Sequence, residues 1–175
     1  MAHLRLQRDP ESNLTSIDLA MMQRAIALAD EAAALGEVPV GAVVYRGDEI
    51  IAEAANNREA TRDPIGHAEL LAISKAGRRL GDWRLSNCSL AVTLEPCPMC
   101  AGAMINARLD RVIYGADDPK AGACRSLFRL LSDKRLNHRV TVVSGVMGEK
   151  CKKQLQDFFR LRRQQQQQSR TSKSA

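Results

Sequence analysis

Aromatic side chains are nearly missing from this chain: one Trp, two Tyr and three Phe make up 3% of 175 residues. A protein that grips nucleic-acid strands mainly by stacking bases on aromatic platforms needs more of them, so that class is disfavoured. Long apolar runs are missing too. Nothing approaches the roughly 20 consecutive apolar residues that cross a bilayer, so no membrane role is expected. The opening stretch, residues 1–10, lacks the apolar core of a secretory signal, which makes the cytoplasm the expected compartment. Histidine is scarce at three, and the five cysteines are an odd count that suits a reducing compartment better than a disulfide framework.

What is present is an ordinary globular composition, 45% hydrophobic and 26% charged, with enough chain for one domain and its core. The formal net charge is +6. Five positive charges, Arg160, Arg162, Arg163, Arg170 and Lys173, follow Phe159 with no acid among them, which leaves about +1 for the rest. A neutral body with one basic end points to a local phosphate contact rather than diffuse polyanion affinity. A solvated tail that merely aids solubility has the same charge pattern.

Residues 1–14 are polar and aperiodic, a loose extension. Thr15 or Ser16 can cap a helix with apolar positions Leu19, Met22, Ile26, Leu28 and Ala29, stopped at Gly36. Residues 38–45 and 49–55 flank Arg46-Gly47-Asp48 and predict a β-hairpin, with Pro39 at the strand entrance. A polar loop over 56–66 delivers His67 to a helix through Leu70, Leu71, Ile73 and Ala76. Residues 89–94 form a nearly continuous apolar strand, as a buried central strand should, and lead through Glu95 and Pro96 to a helix over 100–108. Further strands are expected at 111–116 and 139–144, and a helix at 149–163 closes the domain that begins at residue 15. The order α-β-β-α-β-α-β-α-β-α predicts an α/β fold, with helices on both faces of one central five-stranded mixed sheet and right-handed crossovers. Residues 164–175, rich in glutamine and basic, predict a disordered tail.

The chemistry gathers in two short motifs. His67-Ala68-Glu69 is followed, twenty-six residues later, by Pro96-Cys97-Pro98-Met99-Cys100. His67, Cys97 and Cys100 can fill three corners of a zinc tetrahedron, and no fourth donor lies close in sequence. A structural zinc site closes the fourth corner with Cys or His, whereas a catalytic one leaves it to water. Cys97 and Cys100, three apart, share one face of a first helical turn, where thiolate is favoured over thiol. Glu69 can reach the open position without being a ligand, as a general acid/base must. A redox Cys-x-x-Cys is the rival for the cysteine pair, but it gives the upstream His-x-Glu no role. Cys88, Cys124 and Cys151 read as small buried apolar residues.

With these motifs and several others, the chain resembles the bacterial tRNA-specific adenosine deaminases of the cytidine deaminase-like superfamily. The resemblance spans about residues 18–163. It is carried by Val38-Pro-Val-Gly-Ala42, Asn56, Asp63-Pro64, His67-Ala-Glu69, Leu94-Glu-Pro-Cys-Pro-Met-Cys-Ala-Gly-Ala103, Gly115-Ala116, Asp118, Lys120-Ala-Gly122, Asn137-His-Arg139 and Asp157-Phe-Phe-Arg-Leu-Arg-Arg163. It implies a three-layer α/β/α sandwich, a homodimer, one Zn2+ per chain and no nucleotide cofactor. The implied reaction converts the wobble adenosine of an arginine tRNA anticodon stem-loop to inosine. By position, Asn56 is expected to hydrogen-bond the flipped adenine and the backbone at Ala68 to meet the purine. Asp118 is expected beside the anticodon backbone, with Phe159, Arg162 and Arg163 on flanking nucleotides. Phe158 and Phe159 are equally compatible with core-facing positions. Local departures are Asn57 where arginine is frequent, Ile65-Gly66 where threonine and alanine are, and Asn106 in place of histidine.

Two other readings stay open. A guanine, cytosine or nucleoside deaminase of the same fold would use the same zinc site. A non-catalytic zinc-stapled RNA-binding module would need the cysteines and histidine but not Glu69.

Overall fold

In a computed structural model of the chain, which describes residues 14–171, the first ordered event is a helix cap. Thr15 Oγ1 accepts from the Asp18 N–H at 3.1 Å, and Asp18 Oδ2 accepts from the Thr15 N–H at 2.8 Å. Two of the donors that a helix start leaves unpaired are thereby satisfied. Helix α1 runs Ser16–Ala34. Its buried stripe contains Met21, Met22, Ala25, Ile26, Leu28, Ala29 and Ala32, so Leu19, expected inside, lies on the exposed side.

A hairpin of β1 (Gly41–Arg46) and β2 (Glu49–Ala55) follows. Pro39 stays outside β1, which starts two residues after it. Within the expected loop is a one-turn helix, α2 (Arg58–Thr61), then α3 (Ala68–Leu80). The buried carboxylate of Glu37 anchors α2 by accepting from the Ala60 N–H at 2.7 Å. Strand β3 (Ser89–Leu94), helix α4 (Pro98–Asn106) and strand β4 (Arg111–Ala116) come next. Helix α4 begins at Pro98, earlier than expected, because Cys97 takes the cap position and proline suits the first helical residue, whose N–H has no partner to lose. The helix expected between β4 and β5 is not there: that segment is irregular apart from a 3₁₀ turn at Leu130–Ser132, and its N–H groups turn inward to a buried acid, Glu95. Strand β5 (Thr141–Val143) is shorter than expected.

Helix α5 (Gly148–Thr171) passes Arg163 and continues through the glutamines, where disorder was expected. Glutamine is a good helix former, and no Gly or Pro after Gly148 interrupts the run. Residues 172–175 of the expected tail, and the N-terminal extension apart from Leu14, lie outside the described residues.

The sheet order is β2-β1-β3-β4-β5, with β1 antiparallel to both β2 and β3, while β4 is parallel to β3 and to β5. Alternation along the strands sends Val44, Leu90, Val92 and Tyr114 to one face, against Ala68, Ala72 and Ala76 of α3 and Ala101 and Met104 of α4. Val43, Tyr45, Ala91 and Ile113 point the other way, against α1 and Cys151 of α5. The result is the expected α/β/α sandwich. Covered on both faces, the central strands read as unbroken apolar runs. Among the described residues, no helix is long and apolar enough to cross a membrane.

One polar staple crosses the α1 face. Asp18, 1% exposed, accepts from the Tyr45 hydroxyl at 2.5 Å and from the Arg111 guanidinium at 2.7 Å, tying α1 to β1 and β4. Burial alone would raise its pKa. The Arg111 and Tyr45 donors and the Thr15 cap outweigh burial and hold it at about 2.

Candidate metal centre and pocket

Parallel pairing of β3 and β4 puts their carboxyl ends at one edge, and the first turns of α3 and α4 start there. His67 caps α3 and Cys97 caps α4, so two helix N-termini bring the motif halves together from positions thirty residues apart. Cys97 Sγ lies 3.6 Å from Cys100 Sγ and 3.8 Å from His67 Nδ1, and Cys100 Sγ lies 3.5 Å from the same nitrogen. Three donors in a tetrahedral array at ordinary Zn–S and Zn–N lengths stand about 3.8 Å apart for sulfur to sulfur and about 3.6 Å for sulfur to nitrogen. The triangle therefore fits zinc without rearrangement, and these three residues are the group that could hold a metal among the described residues.

The three side chains shift one another's protonation. The contact with Cys100, against the opposing effect of burial, holds the Cys97 thiol down at about 4. The same contact, with burial, pushes Cys100 up. His67 is raised, first by its contact with Cys97. Glu69, 4% exposed in the first turn of α3, is raised by burial; its own N–H, the charge of His67 and the Cys100 thiol pull the other way and do not offset it.

Asn56, His67, Glu69, Cys97 and Asp118 line one pocket of about 230 Å³, together with Val38, Val40, Arg58, Leu94, Glu95 and Ala121. Ala68, between His67 and Glu69 in the chain, is fully buried. The C-terminal candidates divide. Phe159 and Arg163, one helical turn apart, line a groove with Lys120 and Lys152, next along the 117–120 loop from Asp118. Arg162 sits on another side of α5, 6.0 Å from the Phe158 ring, in a hollow against the end of α1. Successive helical residues are rotated by about 100°, which separates these two arginines.

Two of the local departures form one arrangement. The Asn57 N–H donates to the Gly66 carbonyl at 3.0 Å, and a Cβ at position 66 would sit 2.5 Å from Asn57 Oδ1. A side chain at 66 would therefore force Asn57 Oδ1 to move.

Glu95 is the residue that motif reasoning passed over. It is 2% exposed and accepts from the N–H groups of Asp118 (3.0 Å), Cys124 (3.1 Å), Arg125 (2.8 Å) and Ser126 (2.9 Å), and from the Ser126 hydroxyl. Burial would raise its pKa; the Ser126 hydroxyl and these N–H groups bring it below the usual range. An acid at the end of an otherwise apolar central strand was the available signal. Cys88, Cys124 and Cys151 are free and buried, as their apolar reading requires.

Residues 17–163 match the family model of MafB19-like deaminases. A tRNA-specific adenosine deaminase of Bacillus subtilis (strain 168) is 50% identical over 143 residues, which cover 82% of this chain and 89% of that protein. A solved structure from work on A-to-I editing by tRNA:A34 deaminases at the wobble position of transfer RNA has a TM-score of 0.75 at 39% identity, covering 78% of this chain and 99% of its own. A guanine deaminase from Nitrosomonas europaea has a TM-score of 0.71 at 24% identity, covering 80% and 83%, a likeness of fold alone.

Proposed function

The chain belongs to the tRNA-specific adenosine deaminases, and from that footing we propose that it converts the wobble adenosine of an arginine tRNA anticodon to inosine, with one zinc ion per chain. The observation that carries this reading is the His67–Cys97–Cys100 triangle with buried Glu69 on the same pocket as Asn56. A purely structural zinc site has no use for a buried carboxylate beside the donors.

His67 Nδ1 and the Cys97 and Cys100 sulfurs would hold the metal. When bound, zinc supplies a water of lowered pKa, nucleophilic near neutral pH. The remaining chemistry belongs to the chain. Glu69 takes a proton from the attacking water and delivers it to N1 of the adenine as the oxygen adds to C6. It then carries the second proton to the C6 amine, the C–N bond breaks, and ammonia leaves with inosine as product. Asn56 holds the edge of the flipped base, and the start of α3 at Ala68 backs the purine. Asp118 meets the anticodon backbone. Phe159 and Arg163 face a groove with Lys120 and Lys152 and take flanking nucleotides, and Arg162 reaches the RNA from the far side of α5. A homodimer through the small-residue helix α4, where Met99 is exposed, and residence in the cytoplasm complete the reading.

The test is direct. The purified protein is incubated with adenosine, cytidine, guanine and an arginine tRNA anticodon stem-loop, and inosine and ammonia are measured alongside metal content. Inosine from the stem-loop, little reaction with the free compounds, and one zinc per chain that is largely lost in Cys97→Ser are expected. Free adenosine turned over as efficiently as the stem-loop would replace this reading with a nucleoside deaminase, and deamination of guanine or cytidine alone would replace it with another member of the fold.

A further inference from the structure

Glu95 occupies a position between two parts of the pocket that come from distant chain segments. Its backbone N–H donates to the Ala116 carbonyl at 2.8 Å, extending the β3–β4 pairing by one step. The next residue, Pro96, accepts from the Ala123 N–H at 2.8 Å, and the one after that is the donor Cys97. Its side chain meanwhile gathers the 118–126 loop from inside. Oε2 takes the Asp118 N–H and the Ser126 hydroxyl, and Oε1 takes three successive N–H groups, Cys124 to Ser126. Three successive N–H groups aimed at one anion form a concave nest. Arg125 gives the carboxylate its backbone N–H and turns its guanidinium instead to Ser144 at 2.9 Å and Asp117 at 3.3 Å.

The pocket wall hangs on these bonds. Asp118, fixed at its N–H by Glu95, accepts from the Gly122 N–H at 2.8 Å through its carbonyl, and from the Lys120 and Ala121 N–H groups at 2.9 and 3.2 Å through Oδ1. Asp118 and Ala121 both line the pocket that holds His67, Glu69 and Cys97. Gly122 passes so close that a Cβ there would collide with the Glu95 carboxylate and with the Asp118 carbonyl. The loop has no helix or strand of its own to set its shape.

We propose that Glu95 is a positioning residue for the reaction: its carboxylate fixes the Asp118–Ala121 wall relative to Cys97, and so sets how substrate is held over the metal centre. This rests on the pocket being the deamination site. Loss of the carboxylate leaves the donors of the metal in place and loosens the wall that faces the substrate.

The experiment compares wild type with Glu95→Gln and Ser126→Ala as full-length, zinc-loaded proteins. In Glu95→Gln one acceptor becomes an NH₂ group facing N–H donors. Amide exchange at 118 and 124–126 is expected to quicken roughly tenfold or more, as buried donors left without an acceptor would give. KM for the stem-loop is expected to rise by a similar factor with kcat changed less than about threefold and zinc content equal to wild type. Ser126→Ala removes one donor and keeps the carboxylate, so it should move KM the same way by less, and it carries the test if Glu95→Gln does not fold. Unchanged KM in folded, zinc-loaded variants overturns the proposal, as does a loss of zinc that accounts for the loss of activity. The ratio is measured on whichever base the wild type deaminates, so failure of the adenosine reading leaves this result separately legible.

Discussion

Asp18 and Glu69 are both buried acids in the first turn of a helix, one on each face of the same sheet, and their pKa values move in opposite directions. A helix N-terminus favours carboxylate in both places. Asp18 adds three strong donors, from Arg111, Tyr45 and Thr15, and its pKa falls to about 2. Glu69 has only weaker help, and burial wins, so its pKa rises. Local helix position does not decide the charge of a buried acid. The count and charge of donors aimed at it decide. The fully partnered acid holds the fold, while the under-partnered one can take up and release a proton.

The largest effect that tests this contrast is at Glu69. Glu69→Gln keeps the shape and removes the titration, so turnover should fall by about 10²–10⁴-fold with zinc content and melting temperature at least equal to wild type. Steady-state kinetics with metal analysis measure both. Near-normal turnover would show that the under-partnered acid has no proton to move.

Asp18→Asn is the complementary case. It removes the charge that Arg111 and the cap were built around, on the face away from the pocket. The pKa depressed from 3.8 to about 2 corresponds to roughly 2 kcal/mol of stability. Because the folded pKa lies below the unfolded one, that stability is complete above about pH 5 and is lost as pH falls through about 4 toward 2. Chemical denaturation across this window should slope steeply for wild type and flatten for Asp18→Asn, with kcat per folded molecule unchanged. An unaltered acid limb would mean that the staple does not depend on charge.

Sequence alone carried the sheet and the His67, Cys97 and Cys100 cluster for one reason: both depend on short-range pattern. The bounds 49–55, 89–94 and 111–116 coincide with β2, β3 and β4, since apolar runs between turn residues are local. His67, Cys97 and Cys100 were legible because zinc dictates residue type and spacing. What was not legible depends on partners distant in sequence. Glu95 is an unremarked acid until residues 118–126 fold over it, and the element order places a helix between β4 and β5 because the inward-facing N–H groups of the segment there have no signature. Arg162 and Arg163 look alike in sequence and face different hollows once α5 is placed. The straight continuation of α5 through 164–171 followed propensity, where low complexity had suggested disorder.

The smallest effect separates charge from hydrogen bonding within the staple itself. Tyr45 is 3% exposed, and its hydroxyl gives the Asp18 carboxylate one of three donors; the Thr15 N–H and the Arg111 guanidinium are the others, and only Arg111 carries charge. Tyr45→Phe preserves the packing of the ring between α1 and β1 and deletes that donor alone. A hydrogen bond to a charged acceptor is worth about 1.5–3 kcal/mol, but Asp18 keeps its other partners and a water-free apolar edge replaces the hydroxyl, so a net loss of about 1 kcal/mol is expected. For a domain of this size that is about 2–4 °C in melting temperature. Asp18 should then titrate higher in the folded state, which shifts the acid limb upward in pH without flattening it. A loss as large as that of Asp18→Asn would assign the staple to the hydroxyl rather than to the ion pair, and the contrast with Glu69 would then rest on hydrogen bonding instead of countercharge.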